Sequence, residues 1–230
     1  MDYFRIIHND YKKRLIKQNC YLKNVLDFGS GKAGDIHKYR DSFVNWVTLV
    51  EPNPDYVKEA RHRIALSNMD QFCKIHNASA EDFRDNFKYD VVSMFFVLSF
   101  FFDKEEHLDK LIKNVSYHLK NNGKFIGTTI TAEKLVPLIQ NNDIDNEFFS
   151  IKKESDLTHS YGDKITFNLK GSQTAQTQTE YLVYFDLLEK ICNKYSLVLT
   201  YKKCYESNSK LTDELNLLTS FYCEFIFQKK

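Results

Sequence analysis

Apolar residues along this chain follow two rhythms. Compact runs at 24–28, 46–50, 72–75, 90–97 and 124–130 predict strands, while apolar residues spaced three to four apart between several of them predict helices. The run at 90–97 is nearly unbroken, the pattern of a central parallel strand covered on both faces. Leu108, Leu111, Ile112, Val115 and Leu119 mark the inward side of a helix that Asn121, Asn122 and Gly123 are expected to end. Pro54 suits the first turn of a helix running toward Ser67, another begins near Gly34, and a short one spans about 10–18 with Tyr11, Leu15 and Ile16 inward. Strand and helix in alternation predict a doubly wound α/β sheet. Beyond Asn141 the rhythm changes. Residues 147–170 predict a strand hairpin, 171–179 (GSQTAQTQT) a polar loop of low complexity, and 182–195 a helix. Two closing strands, 197–202 and 221–228, are expected to lie antiparallel at the sheet edge.

The first strand ends in the most informative turn. Val25-Leu26-Asp27-Phe28 runs into Gly29-Ser30-Gly31-Lys32-Ala33-Gly34-Asp35, and a helix follows. Gly29 and Gly31 permit positive φ and let a ligand approach the backbone. Asp35 falls near the helix start, where the dipole favours a carboxylate. Gly29-x-Gly31-x-x-Gly34 matches a dinucleotide fingerprint, and Glu51 lies where an acid would hold a ribose. Asp27 argues against a dinucleotide, because its charge would repel a pyrophosphate. It would favour the ammonium or sulfonium of S-adenosylmethionine. A turn-capping role for Asp27 and a helix-capping role for Glu51 stay open on the residues alone.

Composition narrows the field. The formal net charge of +1 leaves no broad footprint for duplex nucleic acid, though a small anionic target or an RNA end fits. The five cysteines are scattered without a CxxC, and with no secretory segment they predict reduced thiols in a cytoplasmic protein. No histidine has zinc-ligand spacing, so no metal is expected, and no apolar run reaches membrane-spanning length.

Four separated segments carry a family resemblance. VLDFGSGKAGDIHKY (25–39) is similar to the pattern VLDLGCGKGGDLxKW, and HNDYKKRLI (8–16) to NNWxKxxLI. TEYLVYFDLLEKICNKYSLVLTYKK (179–203) resembles a segment that carries a cap-reading glutamate, and SFYCEFIFQKK (220–230) a terminal strand with a pocket tyrosine. Together they resemble the mRNA cap guanine-N7 methyltransferases among class I methyltransferases, including modules in capping enzymes of large cytoplasmic DNA viruses.

The resemblance implies a Rossmann-like α/β fold with a mostly parallel seven-stranded sheet, helices on both faces and an antiparallel edge strand. It implies one methyltransferase domain over 1–230: a donor-binding helix (1–23), the core (24–140), a cap-pocket insertion (141–180), and a C-terminal helix with edge strands (181–230). The donor would be S-adenosylmethionine, leaving S-adenosylhomocysteine. Lys12 would bind the donor carboxylate, Gly29 and Gly31 pass its methionine moiety above Asp27, and Glu51 hold its ribose. Asp35 and Phe96 join that side, and Ser79 the adenine edge, where Ala78 replaces the family's usual aspartate. On the cap side, Glu180 would accept from guanine N1 and N2, with Tyr222 beside it, as the catalytic pair. His8, Asn9, Ser99 and Phe100 join them, with Lys38, Arg61 and Arg63 toward the triphosphate.

One segment departs from the family. Phe95 stands for a glutamine, and Ser99-Phe100 for a His-Tyr pair. Phe100 can still stack on a base, a contact worth ~1–3 kcal/mol. Guanine N7 carries a lone pair, so the resemblance implies alignment and electrostatics without a general base or catalytic histidine, cysteine or metal. The expected partner is the capped 5′ end of mRNA (GpppN), with triphosphatase and guanylyltransferase domains in cis or in trans. The residues leave other functions open: a methyltransferase for another RNA position or a small molecule, or a non-catalytic stimulatory subunit.

Overall fold

The computed structural model describes residues 2–170 and 177–230, so most of the expected loop at 171–179 lies outside the described residues. Helix α1 (Asp2–Cys20) leads into strand β1 (Asn24–Phe28), α2 (Ile36–Asp41), β2 (Trp46–Glu51), α3 (Pro54–Leu66) and β3 (Cys73–Asn77). Then follow β4 (Tyr89–Phe95), a 3-10 turn (Leu98–Phe101), α4 (Glu105–His118), β5 (Leu119–Ile130) and α5 (Ala132–Ile139). Four short strands, β6 (Ile144–Asp145), β7 (Phe149–Lys153), β8 (Lys164–Leu169) and β9 (Gln178–Tyr181), precede α6 (Phe185–Lys194), β10 (Leu197–Cys204), α7 (Asp213–Ser220) and β11 (Tyr222–Lys229).

Seven strands form one sheet in the order β10-β11-β5-β4-β1-β2-β3, and β6 to β9 form a separate antiparallel sheet. β11 runs antiparallel to both neighbours while the remaining pairings are parallel. The last two strands are thus antiparallel at the edge, with the reversed strand one place in and β10 outermost.

Strand alternation divides the apolar side chains between two layers. Val25, Val47, Leu49, Val91 and Ile126 pack with Leu15 and Ile16 of α1, Tyr39 of α2 and Ile64 of α3. Leu26, Val50, Val92, Phe125 and Phe225 face the other way, onto Leu108 and Leu111 of α4 and Leu188 and Ile191 of α6. Burial on both faces is why these strands read as continuous apolar runs. A third cluster joins the small sheet (Phe149, Ile151, Ile165) to Phe4 and Ile7 of α1, Leu135 of α5 and Leu215 of α7. Leu187 of α6 touches both this cluster and the α4/α6 layer.

Several elements depart from the sequence pattern. α1 extends eight residues before the expected start, because Phe4, Ile7 and His8 continue its buried stripe. α4 stops at His118 rather than at Gly123: Leu119 is already extended, and Asn122, at φ +63°, bends the leading part of β5. α5 went unpredicted because Pro137 sits inside it and interrupts its pattern. α7 was also unpredicted, although Thr212 caps it and Asp213 and Glu214 fill its first turn.

Candidate active site

The glycine turn leaves β1 as a chain of left-handed residues. Gly29 (φ +70°), Gly31 (φ +55°) and Ala33 (φ +54°) all lie in that region. At Gly29 a Cβ would come within 2.8 Å of Val97, so the position is closed sterically as well as by backbone conformation. At Gly31 a Cβ would meet nothing within 4 Å, which leaves open space above the main chain.

Around this turn the polar groups are tied together. Glu51, buried at the end of β2, accepts from the Gly31 amide (2.9 Å) through one oxygen and from the Asn53 amide (2.9 Å) through the other. Asp27 is buried and accepts from the Ser93 hydroxyl at 2.8 Å. Burial, reinforced by the Asp35 charge, pushes its carboxyl up to about 7, against the opposing pull of Ser93, Tyr39 and Lys12. Asp35 opens α2 without capping it through its side chain. Instead its carboxylate binds Lys12 Nζ at 2.8 Å and Lys38 Nζ at 2.6 Å. Burial raises the Asp35 pKa, but these two ammonium groups outweigh it and hold the carboxyl below its ordinary range.

Above the turn, α1 closes a cleft of about 220 Å³ lined by Phe4, Arg5, His8, Asn9, Lys12, Phe96 and Tyr222. Phe96 follows β4 at φ +61°, a strained conformation for an aromatic residue, and holds its ring 5.4 Å from Lys12 Nζ. Tyr222 opens β11 and meets His8 edge-on at 4.9 Å and Phe96 at 5.4 Å. His8 is buried; desolvation, with Lys12 nearby, takes its imidazole down to about 3, so it is neutral at physiological pH.

Glu180 stands on β9, opposite Ile165 of β8. Ser99, from the 3-10 turn, donates its hydroxyl to Glu180 at 3.0 Å, joining residues 81 positions apart. Burial raises the Glu180 pKa, and the Ser99 bond offsets part of that. The same carboxylate adds to burial in raising the Tyr222 phenol. Asp163 fixes the exit from β9: its main-chain oxygen accepts from the Leu182 amide at 2.9 Å and its carboxylate from the Tyr184 hydroxyl at 2.6 Å.

The structure therefore gathers His8, Asn9, Lys12, Phe96 and Tyr222 in one cleft, joins Ser99 to Glu180, and sets Asp27, Gly29, Gly31, Asp35 and Glu51 around the turn. Phe100, beside Ser99, is 42% exposed and offers a free ring. Ser79, past the tip of β3, bonds Asp82 at 3.0 Å. Of the three cations expected at a triphosphate, Lys38 borders a groove with Asn9 and Lys13 of α1, while the two arginines stand apart from it. Lys38 is buried against Asp35 because that carboxylate begins its own helix turn. Arg61 and Arg63 lie on α3, which descends from the end of β2 toward the opposite end of the sheet. Arg63 sits about 13 Å down that axis and pairs with Glu59 at 3.0 Å. Sequence reasoning missed Phe4, Arg5 and Tyr205, whose ring stacks on Tyr11 at 3.7 Å. The spacing Phe4, Ile7, His8, Tyr11 was the available signal for the first of these. Among the described residues no group of three or more His, Cys, Asp or Glu is placed to hold a metal ion.

A family model described as the mRNA (guanine-N(7))-methyltransferase domain matches residues 4–220. Among similar proteins, an mRNA cap guanine-N(7) methyltransferase of Candida glabrata is 28% identical over 222 residues, 85% of this chain and 53% of that protein. One from Saccharomyces cerevisiae is 26% identical over 201 residues, 76% of this chain and 46% of that protein. The chain spans about half the length of these two relatives. Both are fungal, and the narrower resemblance to viral capping modules finds no support in them. Among solved structures, the CcbJ methyltransferase of Streptomyces caelestis superposes with a TM-score of 0.71 at 13% identity, over 97% of this chain and 90% of that one. An S-adenosylmethionine-dependent methyltransferase of Clostridium acetobutylicum gives 0.65 at 16% identity, over 98% and 92%. At such identities these two report the fold alone.

Proposed function

The chain belongs to the mRNA (guanine-N(7))-methyltransferase domain family, and we propose that it transfers the methyl group of S-adenosylmethionine to N7 of the guanosine that caps mRNA. The glycine turn suits the donor: open space lies above Gly31, the Ser30 hydroxyl is buried without a partner, and a buried acid sits beneath the turn. Lys12 would take the donor carboxylate, Gly29 and Gly31 its methionine chain, and Glu51, whose oxygens keep spare lone pairs, its ribose. When bound, the donor supplies a methyl group already activated on a sulfonium.

The observation that carries the acceptor assignment is the Ser99–Glu180 hydrogen bond. It holds a part-buried carboxylate in a fixed direction, with one oxygen bonded and both able to accept further. Guanine offers N1–H and N2–H side by side to such a pair of acceptors. Adenine leaves the carboxylate facing N1, an acceptor, and a buried acid left unpaired is strongly disfavoured. Tyr222 and Phe96 give the base apolar walls that exclude water, and Phe100 offers a stacking face. Glu180, on the edge away from N7, also supplies negative potential as positive charge develops on the ring. N7 needs no deprotonation, in keeping with a neutral His8 that neither gives nor takes a proton. The GpppN substrate requires prior triphosphatase and guanylyltransferase chemistry, which this proposal assigns to other domains or chains.

The test is methyl transfer from S-adenosylmethionine to unmethylated GpppA and to ApppA, with products fragmented by mass spectrometry. A methyl on the guanine N7 of GpppA, with ApppA left unmodified, is expected. Methylation at another atom, or equal use of ApppA, overturns the assignment.

A further inference from the structure

We propose that Cys204 and Cys223 form a reversible cross-strand disulfide that staples β10 to β11 behind the tyrosine wall of the cleft. The two residues are direct partners in the antiparallel register. One step along, the Tyr205 amide donates to the Tyr222 carbonyl at 2.9 Å, so that pair is hydrogen-bonded. Hydrogen-bonded and open pairs alternate along an antiparallel ladder, which makes Cys204 and Cys223 an open pair. In such a pair the Cα atoms approach to ~4.5 Å and the side chains come closest, within the span a disulfide bridges. The two Sγ atoms are 2.7 Å apart. Cys20, Cys73 and Cys192 are each buried and free.

The pair has an asymmetry suited to exchange chemistry. Cys204 is part-exposed while Cys223 is buried in the α4/α6 layer. The two sulfurs share a hydrogen bond in which either can donate, and the Lys202 and Lys134 ammonium groups lie near Cys204, although Lys202 also pairs with Glu133 at 2.7 Å. All of this favours the thiolate on Cys204 and keeps the proton on Cys223. With a small disulfide such as oxidised glutathione, the Cys204 thiolate attacks one sulfur, forms a mixed disulfide and releases one glutathione thiolate. Cys223 then attacks the Cys204 sulfur, gives up its proton and expels the second glutathione. Counted from the dithiol, and so including the proton lost when Cys204 ionises, the protein gives up two electrons and two protons, and these reduce glutathione disulfide to two thiols.

Alternation along β10 and β11 sends the cysteines to one face and Tyr205 and Tyr222 to the other. The bond would therefore pin the base of the tyrosine wall without occupying the cleft, and its formation does not depend on what the cleft binds. It spans 19 positions and encloses α7. Constraining a loop of that size corresponds to a rise in thermal midpoint of about 6–12 °C.

The test treats the whole chain with oxidised glutathione, unfolds it, labels free thiols with N-ethylmaleimide and maps the peptides. Three labels, on Cys20, Cys73 and Cys192, are expected, with the peptides bearing Cys204 and Cys223 joined. Dithiothreitol should restore five labels and reverse the rise in midpoint. A Cys204→Ser variant should show no oxidant-dependent rise. Five labels after oxidation, a stable glutathione adduct on Cys204, or a bridge to another cysteine overturns the proposal. Mapping of the unmutated chain decides the matter even if the variant folds poorly.

Discussion

Around the turn after β1, the polar groups satisfy one another before any ligand arrives. Glu51 is held by two main-chain amides, Asp27 by Ser93, and Asp35 by two lysines. The wall formed by α1, β9 and β11 is built from aromatic rings and one part-buried acid with a single hydroxyl partner. The first region centres on residues 27–35, to which Lys12, Glu51 and Ser93 are bonded, and is rigid by hydrogen bonding. The second unites residues as distant as His8 and Tyr222 and depends on packing. Under the proposed function, a cofactor floor of this kind would serve many acceptors, whereas the wall would carry the choice of base.

The sharpest challenge to this division is Glu180→Ala. It should lower methyl transfer to GpppA by about 100-fold or more while leaving S-adenosylhomocysteine affinity within about two-fold, as steady-state kinetics and calorimetry would register. Gly29→Ala strikes the floor instead. A Cβ at positive φ, 2.8 Å from Val97, should reduce stability by about 2–3 kcal/mol in urea unfolding. Ser99→Ala removes the hydroxyl that orients Glu180. It should raise KM for GpppA about ten-fold and weaken the preference over ApppA, with donor affinity unchanged. A floor mutation that altered base preference, or a wall mutation that altered donor affinity, would erase the distinction.

The smallest effect is expected from pH. Burial takes the Asp27 carboxyl from 3.8 to about 7, so the native state keeps a proton that the unfolded chain has already lost. Asp27's own contribution to stability thus declines as pH rises from about 4 to about 7, while the lowered His8 imidazole contributes in the opposite direction as pH rises from about 3 to 6.5. A bound sulfonium favours the ionised form, so donor binding should release protons near neutrality. S-adenosylmethionine affinity should fall roughly three- to ten-fold between pH 8 and pH 6. S-adenosylhomocysteine, with its neutral sulfur, should show a weaker dependence in the same titrations. Equal dependence for both ligands would separate Asp27 from the sulfonium.

The floor was legible in the sequence because its determinants are local. A strand, two glycines that must reach positive φ, and an acid one strand later fix their own geometry. β1 and the start of α3 fall where the pattern puts them for the same reason. The wall was legible only through resemblance. Nothing about Glu180 alone separates a strand carboxylate from an exposed acid ending a polar loop, since its burial comes from β8 and the Ser99 turn. Lys38 shows the converse. Its spacing from Asp35 was visible, yet the ion pair that buries it depends on α1 closing over α2 and bringing Lys12 to the same carboxylate. The closeness of Cys204 and Cys223 likewise follows from strand register, which no motif announces.

Leu187 packs against the α4/α6 layer on one side and the cluster beneath the small sheet on the other. Together with Ile130 of β5 and Phe221 before β11, which pack into the same cluster, it joins the small sheet to the main body, so the small sheet has no independent melting step. Calorimetry should accordingly trace one endotherm, and replacing Leu187 with alanine is where a shoulder would first emerge.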